Sequence, residues 1–318
     1  MDLSRREFLK GGAAAVGGVF AASALPSFAD SPALFPKRGK FERLSLVSWR
    51  IRAGAKKPFT ILHISDTHLT AAYPNEPAAV RSRAANRSRT FGGMQEEALR
   101  ESLAWAKEHV DYVVHTGDMI DFQSKANFDL VKKYYGQAAG AMIGSLGNHE
   151  FFHGQKTENE ESKNPTRAMV QGAFPFDISF QSTVVNGINF VTLDNVYGTV
   201  TAEQVARFEI EVKKGLPIIL CMHCPIETCE IARAGRRYWR GDDLKLVPNM
   251  SRFSQKWNAK GVKTLTEKFH ARLEREALLK GILAGHIHVS VTDRFSKTAR
   301  EFVVGGNFLF HGQEITIE

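Results

Sequence analysis

Phe59-Thr60-Ile61-Leu62-His63-Ile64-Ser65-Asp66-Thr67-His68 is a short apolar run that ends on two side chains able to ligate a metal. Its first six residues have the composition of a buried strand. The same arrangement recurs four times. Tyr112–His115 leads into Gly117-Asp118, and Ala141–Leu146 into Gly147-Asn148-His149-Glu150. Leu216–Met222 leads into His223, and Ile282–Ala284 into Gly285-His286-Ile287-His288. Each segment alone is weak evidence, because Asp-x-His and Gly-Asp arise by chance. Together they offer oxygen donors from Asp66, Asp118 and Asn148 and imidazoles from His68, His223, His286 and His288. That surplus over the needs of one ion points to a pair.

Carboxylate, amide oxygen and imidazole together suit borderline ions such as Mn, Zn or Fe, divalent or trivalent. A carboxylate such as Asp118 can bridge two ions about 3.5–4 Å apart, and such a pair can clamp a phosphoryl group. In an extended chain Asp66 and His68 would point to one side, because the strand period is two. The same geometry is expected of His286 and His288.

The rest of the chain supplies strands and helices around these segments. Leu44–Ile51 alternates as a peripheral strand does, and Gln95–His109 is an amphipathic helix carrying Ala98, Leu99, Ser102, Leu103 and Ala106 at helical spacing. Thr183–Asn186 and Ile188–Leu193, joined by Asn186-Gly187, predict a hairpin. Helices are expected over Ala202–Lys213 and Glu267–Leu279. Strand–helix alternation broken by hairpins predicts an α/β chain of two packed mixed sheets flanked by helices.

The five segments, in this order, resemble the calcineurin-like metallophosphoesterase superfamily from about Phe59 to Phe310: D-x-H, G-D-x-x-D, G-N-H-[DE], a lone H and G-H-x-H. The resemblance implies a four-layer α/β/β/α sandwich, with Asp66, His68, Asp118 and His288 on one metal. Asp118 (bridging), Asn148, His223 and His286 would hold the second. His149 would then be the general acid and Asp121 the residue orienting it. The implied activity is hydrolysis of phosphate mono- or diesters by a metal-bridged hydroxide, on a small phosphorylated substrate. Two alternatives are a pyrophosphatase acting on nucleoside or lipid-linked diphosphates, favoured by an apolar rim, and a non-catalytic metal-binding protein of the same fold. Phe122 stands where many phosphoprotein phosphatases carry Arg, which argues against protein dephosphorylation. Asp121 stands where purple acid phosphatases carry Tyr, so no tyrosinate–iron colour is expected.

Residues 1–29 have the layout of an export signal: the pair Arg5-Arg6, an apolar stretch from Gly11 to about Leu25, and Ser27-Phe28-Ala29 before Asp30. The paired arginines resemble the twin-arginine (Tat) type, making the Tat translocase a partner during export and the destination periplasmic or extracellular. The apolar stretch, diluted by Gly11, Gly12, Gly17 and Gly18, is too short for a stable membrane span. A linker at 30–40 and a phosphoesterase domain at 41–318 follow. A formal charge of +8 on 318 residues, 43% of them apolar, is that of a basic globular protein, and no specific nucleic-acid motif is present.

Three insertions rim the strand ends: Tyr73–Gly93 with Arg81, Arg83, Arg87 and Arg89, Phe151–Ala168, and Glu230–Trp257 with Arg233, Arg236, Arg237 and Arg240. Their arginines are candidates for phosphate contact, and Tyr238 and Trp239 for stacking a leaving group or anchoring the loop. Cys221 is expected in the core, while Cys224 and Cys229 could pair in an oxidising compartment. Asp194 is read as a turn or cap residue, and His63 and His115 as buried strand residues.

Overall fold

The computed structural model describes residues 33–34, 41–138, 140–155, 158–239 and 260–318, and for 33–34 and 260–264 the backbone alone. The expected export signal, most of the linker and Arg240 lie outside them.

Among the described residues twelve strands form two six-stranded mixed sheets. The first sheet has the order β1 (Ala33–Leu34), β2 (Ser45–Ile51), β12 (His311–Ile317), β3 (Phe59–Ile64), β4 (Tyr112–Thr116), β5 (Met142–Ser145). The second runs β10 (Val291–Arg294), β11 (Arg300–Val303), β9 (Leu279–Ala284), β8 (Ile218–Cys221), β7 (Ile188–Leu193), β6 (Phe180–Val185). β3, β4 and β5 run parallel, as do β7, β8 and β9. β2, expected at the periphery, pairs with both β1 and β12.

Strand residues alternate between two burial environments, so these strands read as nearly continuous apolar runs. Ile61, Ile219, Cys221 and Leu283 meet between the sheets with Phe59, Phe190 and Phe302. Leu62 and Ile64 point the other way, into a layer with Leu99, Trp105 and Phe128. Ile218 and Leu220 pack outward with Phe208 and Phe269. The helices of these outer layers are α2 (Gln95–His109), α3 (Lys125–Ala138), α6 (Ala202–Lys213) and α8 (Lys260–Glu274). The four-layer expectation thus holds.

The hairpin turn takes the form its sequence demands. Asn186 and Gly187 have φ of 49° and 88°, both positive as a two-residue primed turn requires. Helix α6 starts on a reciprocal capping box of Thr201 and Gln204. α8 ends at Glu274, and Leu279, expected at the helix end, opens β9. Helix α1 (Ala78–Thr90) fills the first insertion, and the short helices α4 (Glu160–Lys163) and α5 (Arg167–Gln171) follow the His149 loop. Helix α7 (Cys229–Tyr238) follows the His223 loop.

Candidate metal centre

The parallel strands of both sheets deliver the candidate ligands just past their carboxyl ends, where α/β sheets gather ligands. Asp66 and His68 follow β3, Asp118 follows β4, and Asn148 and His149 follow β5. His223 follows β8, and His286 and His288 follow β9.

Two donor clusters result. Asp66 Oδ1 lies 3.3 Å from His288 Nε2 and 3.9 Å from His68 Nε2, and those two nitrogens are 3.0 Å apart. In the second, His223 Nε2 lies 3.2 Å from His286 Nδ1 and 3.3 Å from Asp118 Oδ2. The same Asp118 oxygen is 3.7 Å from His68 Nε2, so it stands between the clusters. Asp66 and Asp118 each divide their oxygens. Asp66 Oδ2 accepts the His286 N–H at 2.9 Å, and Asp118 Oδ1 accepts the His149 N–H at 2.9 Å, freeing the other oxygen for the centre.

The donor set fits cations. His223 Nδ1 hydrogen-bonds the Thr116 carbonyl at 2.8 Å and His68 Nδ1 the Asp121 carboxylate at 3.0 Å, which assigns their protons to Nδ1 and their lone pairs to Nε2. Asp66 Oδ1 and Asn148 Oδ1 are buried with no hydrogen-bond donor. His68 Nε2, His223 Nε2 and Asp66 Oδ1 thus present lone pairs to the two clusters. Donors about 2.1 Å from one ion lie roughly 3.0–3.4 Å apart, near the spacing found here.

What brings the ligands together differs from the extended geometry expected. Asp66, His68, Asp118, His286 and His288 have φ of 53°, 52°, 52°, 73° and 58°, the left-handed region that costs a non-glycine residue about 1 kcal/mol or more. Strand pairing has ended there, and the backbone turns across the strand ends. The N–H groups of Asp66 and His68 donate to the carbonyls of Gly117 and Asp118, both at 2.9 Å. The motif glycines serve close approach: a Cβ on Gly285 would overlap the Ser65 hydroxyl and Asp66, and one on Gly147 would overlap Asp118.

His149 Nδ1 donates to the backbone carbonyl of Asp121 at 2.7 Å and lies 3.2 Å from its carboxylate. Burial lowers the imidazole's proton affinity, but Asp118 and Asp121 outweigh it and carry the pKa up to about 10. Burial instead dominates at His68, despite its bond to Asp121, and holds it at about 4. Burial opposes ionisation of Asp121, yet His149, Arg87 and His68 hold its carboxyl well below the usual range.

The sequence assigns no such role to several residues that organise the centre. Arg87, expected only as a rim arginine, forks onto Asp121 with bonds of 2.6 and 2.8 Å. Glu150 accepts four backbone N–H groups, from Asp118, Met119, Ile120 and Gly147, and so ties the β4 and β5 loops together. Asn195 accepts the N–H groups of His223 and Cys224 at 3.2 and 3.0 Å and donates to the Cys224 carbonyl at 2.6 Å. Only the places of Glu150 beside His149 and of Asn195 after a strand hinted at them.

Asp194 caps Val196 N at 3.1 Å and pairs with buried Lys163. His63 and His115 are buried beneath the ligand loops, bonded to Thr116 and Thr67 respectively. Cys221 and Cys224 are buried, Cys229 is exposed, and all three are free thiols. Arg236 and Arg237 are exposed on α7, while the Trp239 ring lies 5.4 Å from that of His288 and its Nε1 donates to the Ile287 carbonyl at 3.0 Å. Phe91 stacks on His68 at 4.5 Å, and Phe308 packs 5.2 Å from His288. Both phenylalanines are buried, so these rings support ligands and give no apolar rim.

This fold and donor set agree with a family assignment: residues 59–290 match the calcineurin-like phosphoesterase family, to which the chain belongs. Among solved structures it is similar to a dimetal phosphatase from Danio rerio, with 16% identity over 79% of this chain and 88% of that one and a TM-score of 0.46. It is also similar to PhoD, with 15% identity, 83% and 60% of the two chains covered and a TM-score of 0.44. A purple acid phosphatase from yellow lupin seeds gives 13% identity, 80% and 45% covered and a TM-score of 0.46. No curated protein matches the chain in sequence.

Proposed function

We propose that this chain is an exported two-metal hydrolase of phosphate mono- or diesters. The observation that carries this reading is the Asp118 Oδ2 atom, within 3.7 Å of His68 Nε2 and 3.3 Å of His223 Nε2. Asp66, His68, Asp118 and His288 would hold one ion, and Asp118, Asn148, His223 and His286 the other. Bound there, the pair would supply Lewis-acid charge at phosphorus and a water ionised near neutral pH. The chain supplies the proton for the departing oxygen. With Nδ1 fixed on the Asp121 carbonyl, Nε2 of His149 is the nitrogen left to face a substrate, and the Asp121 carboxylate, clamped by Arg87, favours the imidazolium.

The test is a series of aryl phosphates of rising phenol pKa, with the chain loaded with Mn²⁺. His149→Ala should lower kcat about 10²–10⁴-fold for the poorest leaving groups and far less for the most acidic. An equal loss across the series would remove His149 as the acid. Metal analysis of Asp118→Asn should show reduced uptake of both ions. Full uptake would contradict the bridging assignment.

Export rests on Arg5-Arg6 and the stretch that follows. Among the described residues no helix is long and apolar enough to cross a membrane. Replacing both arginines by lysine should leave the chain in the cytoplasm of a Tat-competent bacterium, read by fractionation. Unchanged export would refute the Tat route.

A further inference from the structure

Helix α1 lies beside His149 with little apolar reason to be there. Of its thirteen residues Ala84 alone is buried, and four are arginines. Polar and aromatic contacts hold it: the fork of Arg87 on Asp121, and Phe91, just past its end, stacked on His68. Arg83 lies four residues before Arg87, hence on the same helix face one turn earlier.

Arg83 and Arg87 differ in what they face. Arg87 is neutralised by Asp121. The Arg83 guanidinium instead lies over the Phe152 ring at 4.6 Å and 6.0 Å from the Phe122 ring. The Phe152 ring is 6.2 Å from that of His149. Among the described residues, no carboxylate forms an ion pair with Arg83. Glu158, half-buried, does not pair with it either. A planar cation held against an aromatic face keeps its outer N–H groups free for a forked oxyanion. It does so on the side of the centre where His149 would protonate the departing oxygen.

We infer that Arg83 is a specificity residue for a second anionic oxygen group, a carboxylate or a phosphate, carried on the leaving part of the substrate. This rests on the phosphoester hydrolase reading and narrows it to esters whose alcohol is itself an anion.

The experiment uses the full chain with Mn²⁺ and three aryl phosphates that differ at the para position: carboxylate, phosphonate and neutral carboxamide. The readout is the ratio of kcat/KM for each anionic ester to that for the carboxamide ester, which cancels any general loss from misfolding. For a half-exposed charge pair, Arg83→Gln should lower one or both ratios about tenfold, chiefly through KM, and Arg83→Lys should restore part of the loss. A fall in only one ratio identifies the anion. Ratios unchanged in Arg83→Gln, while the wild type turns over all three esters, overturn the subsite alone. No turnover of any ester by wild type overturns the hydrolase reading, and the subsite with it.

Discussion

Asn195 shows how much a single side chain decides. It sits fully buried between β7 and the His223 loop, and its amide satisfies two N–H groups and one carbonyl of that loop. His223 needs this support, because a ligand is useful only while its Nε2 is aimed. Asn195→Ala would leave three backbone groups unsatisfied and should cost about 2–4 kcal/mol in chemical denaturation. Manganese titration should show binding weakened about 10–100-fold, the usual effect of losing a residue that holds a ligand. Asn195→Asp, which keeps the acceptor, should lie between. Unchanged affinity in Asn195→Ala would mean that the loop aims itself. The sequence hints at this only by placing Asn195 after a strand, where an Asn beside Asp194 reads as an ordinary turn.

At the scale of elements, legibility followed amphipathicity. α2 and α6 were expected at the bounds they have, since each buries one face: Ala98, Leu99, Trp105 and Ala106 in α2, Phe208 in α6. α1 has no apolar face, and so no helical period marks it in the sequence. The segment after His149 was readable only as a polar insertion, yet Lys163 pins it to the end of β7. Its ammonium is fully buried, 3.0 Å from Asp194 and 2.9 Å from Glu160, and bonds the Val196 carbonyl. Removing the cation leaves buried Asp194 with the more distant Arg167, 4.0 Å away, as its remaining counter-charge among the described residues, so Lys163→Met should destabilise by about 3–5 kcal/mol, and Lys163→Met/Asp194→Asn should recover much of it. Equal losses in the single and double variants would show that the pair itself contributes little and that the lysine stem does the packing.

For the molecule as a whole, a buried acid sets part of the pH dependence. Glu301 on β11 is fully buried; one oxygen accepts the Ile226 N–H at 2.8 Å and the other has no partner. Burial, with Asp293 nearby, pushes its carboxyl well above the ordinary value of 4.5. A raised folded pKa means that stability from this group is full below about pH 4.5 and is lost as pH climbs toward the folded value. Glu301→Gln should therefore gain on wild type as pH rises, by about 1.4 kcal/mol per unit within that window, read as the difference in melting temperature at pH 5 and pH 8. A constant difference would place the ionised carboxylate in the folded state.

The sequence by itself determined the strands that lead into the candidate ligands, the primed hairpin turn, the candidate donors and the glycines that precede several of them. All of these follow from local rules: a period of two, the steric demand for Gly, and the chemistry of side chains at strand ends. Only the tertiary structure decided that five of the seven candidate ligands are left-handed, that Asp118 turns one oxygen to both clusters, and that Arg87, Asn195 and Glu150 hold the loops. Those outcomes depend on contacts between segments as much as 220 residues apart, and no local pattern specifies which distant N–H or carboxylate a given atom will meet.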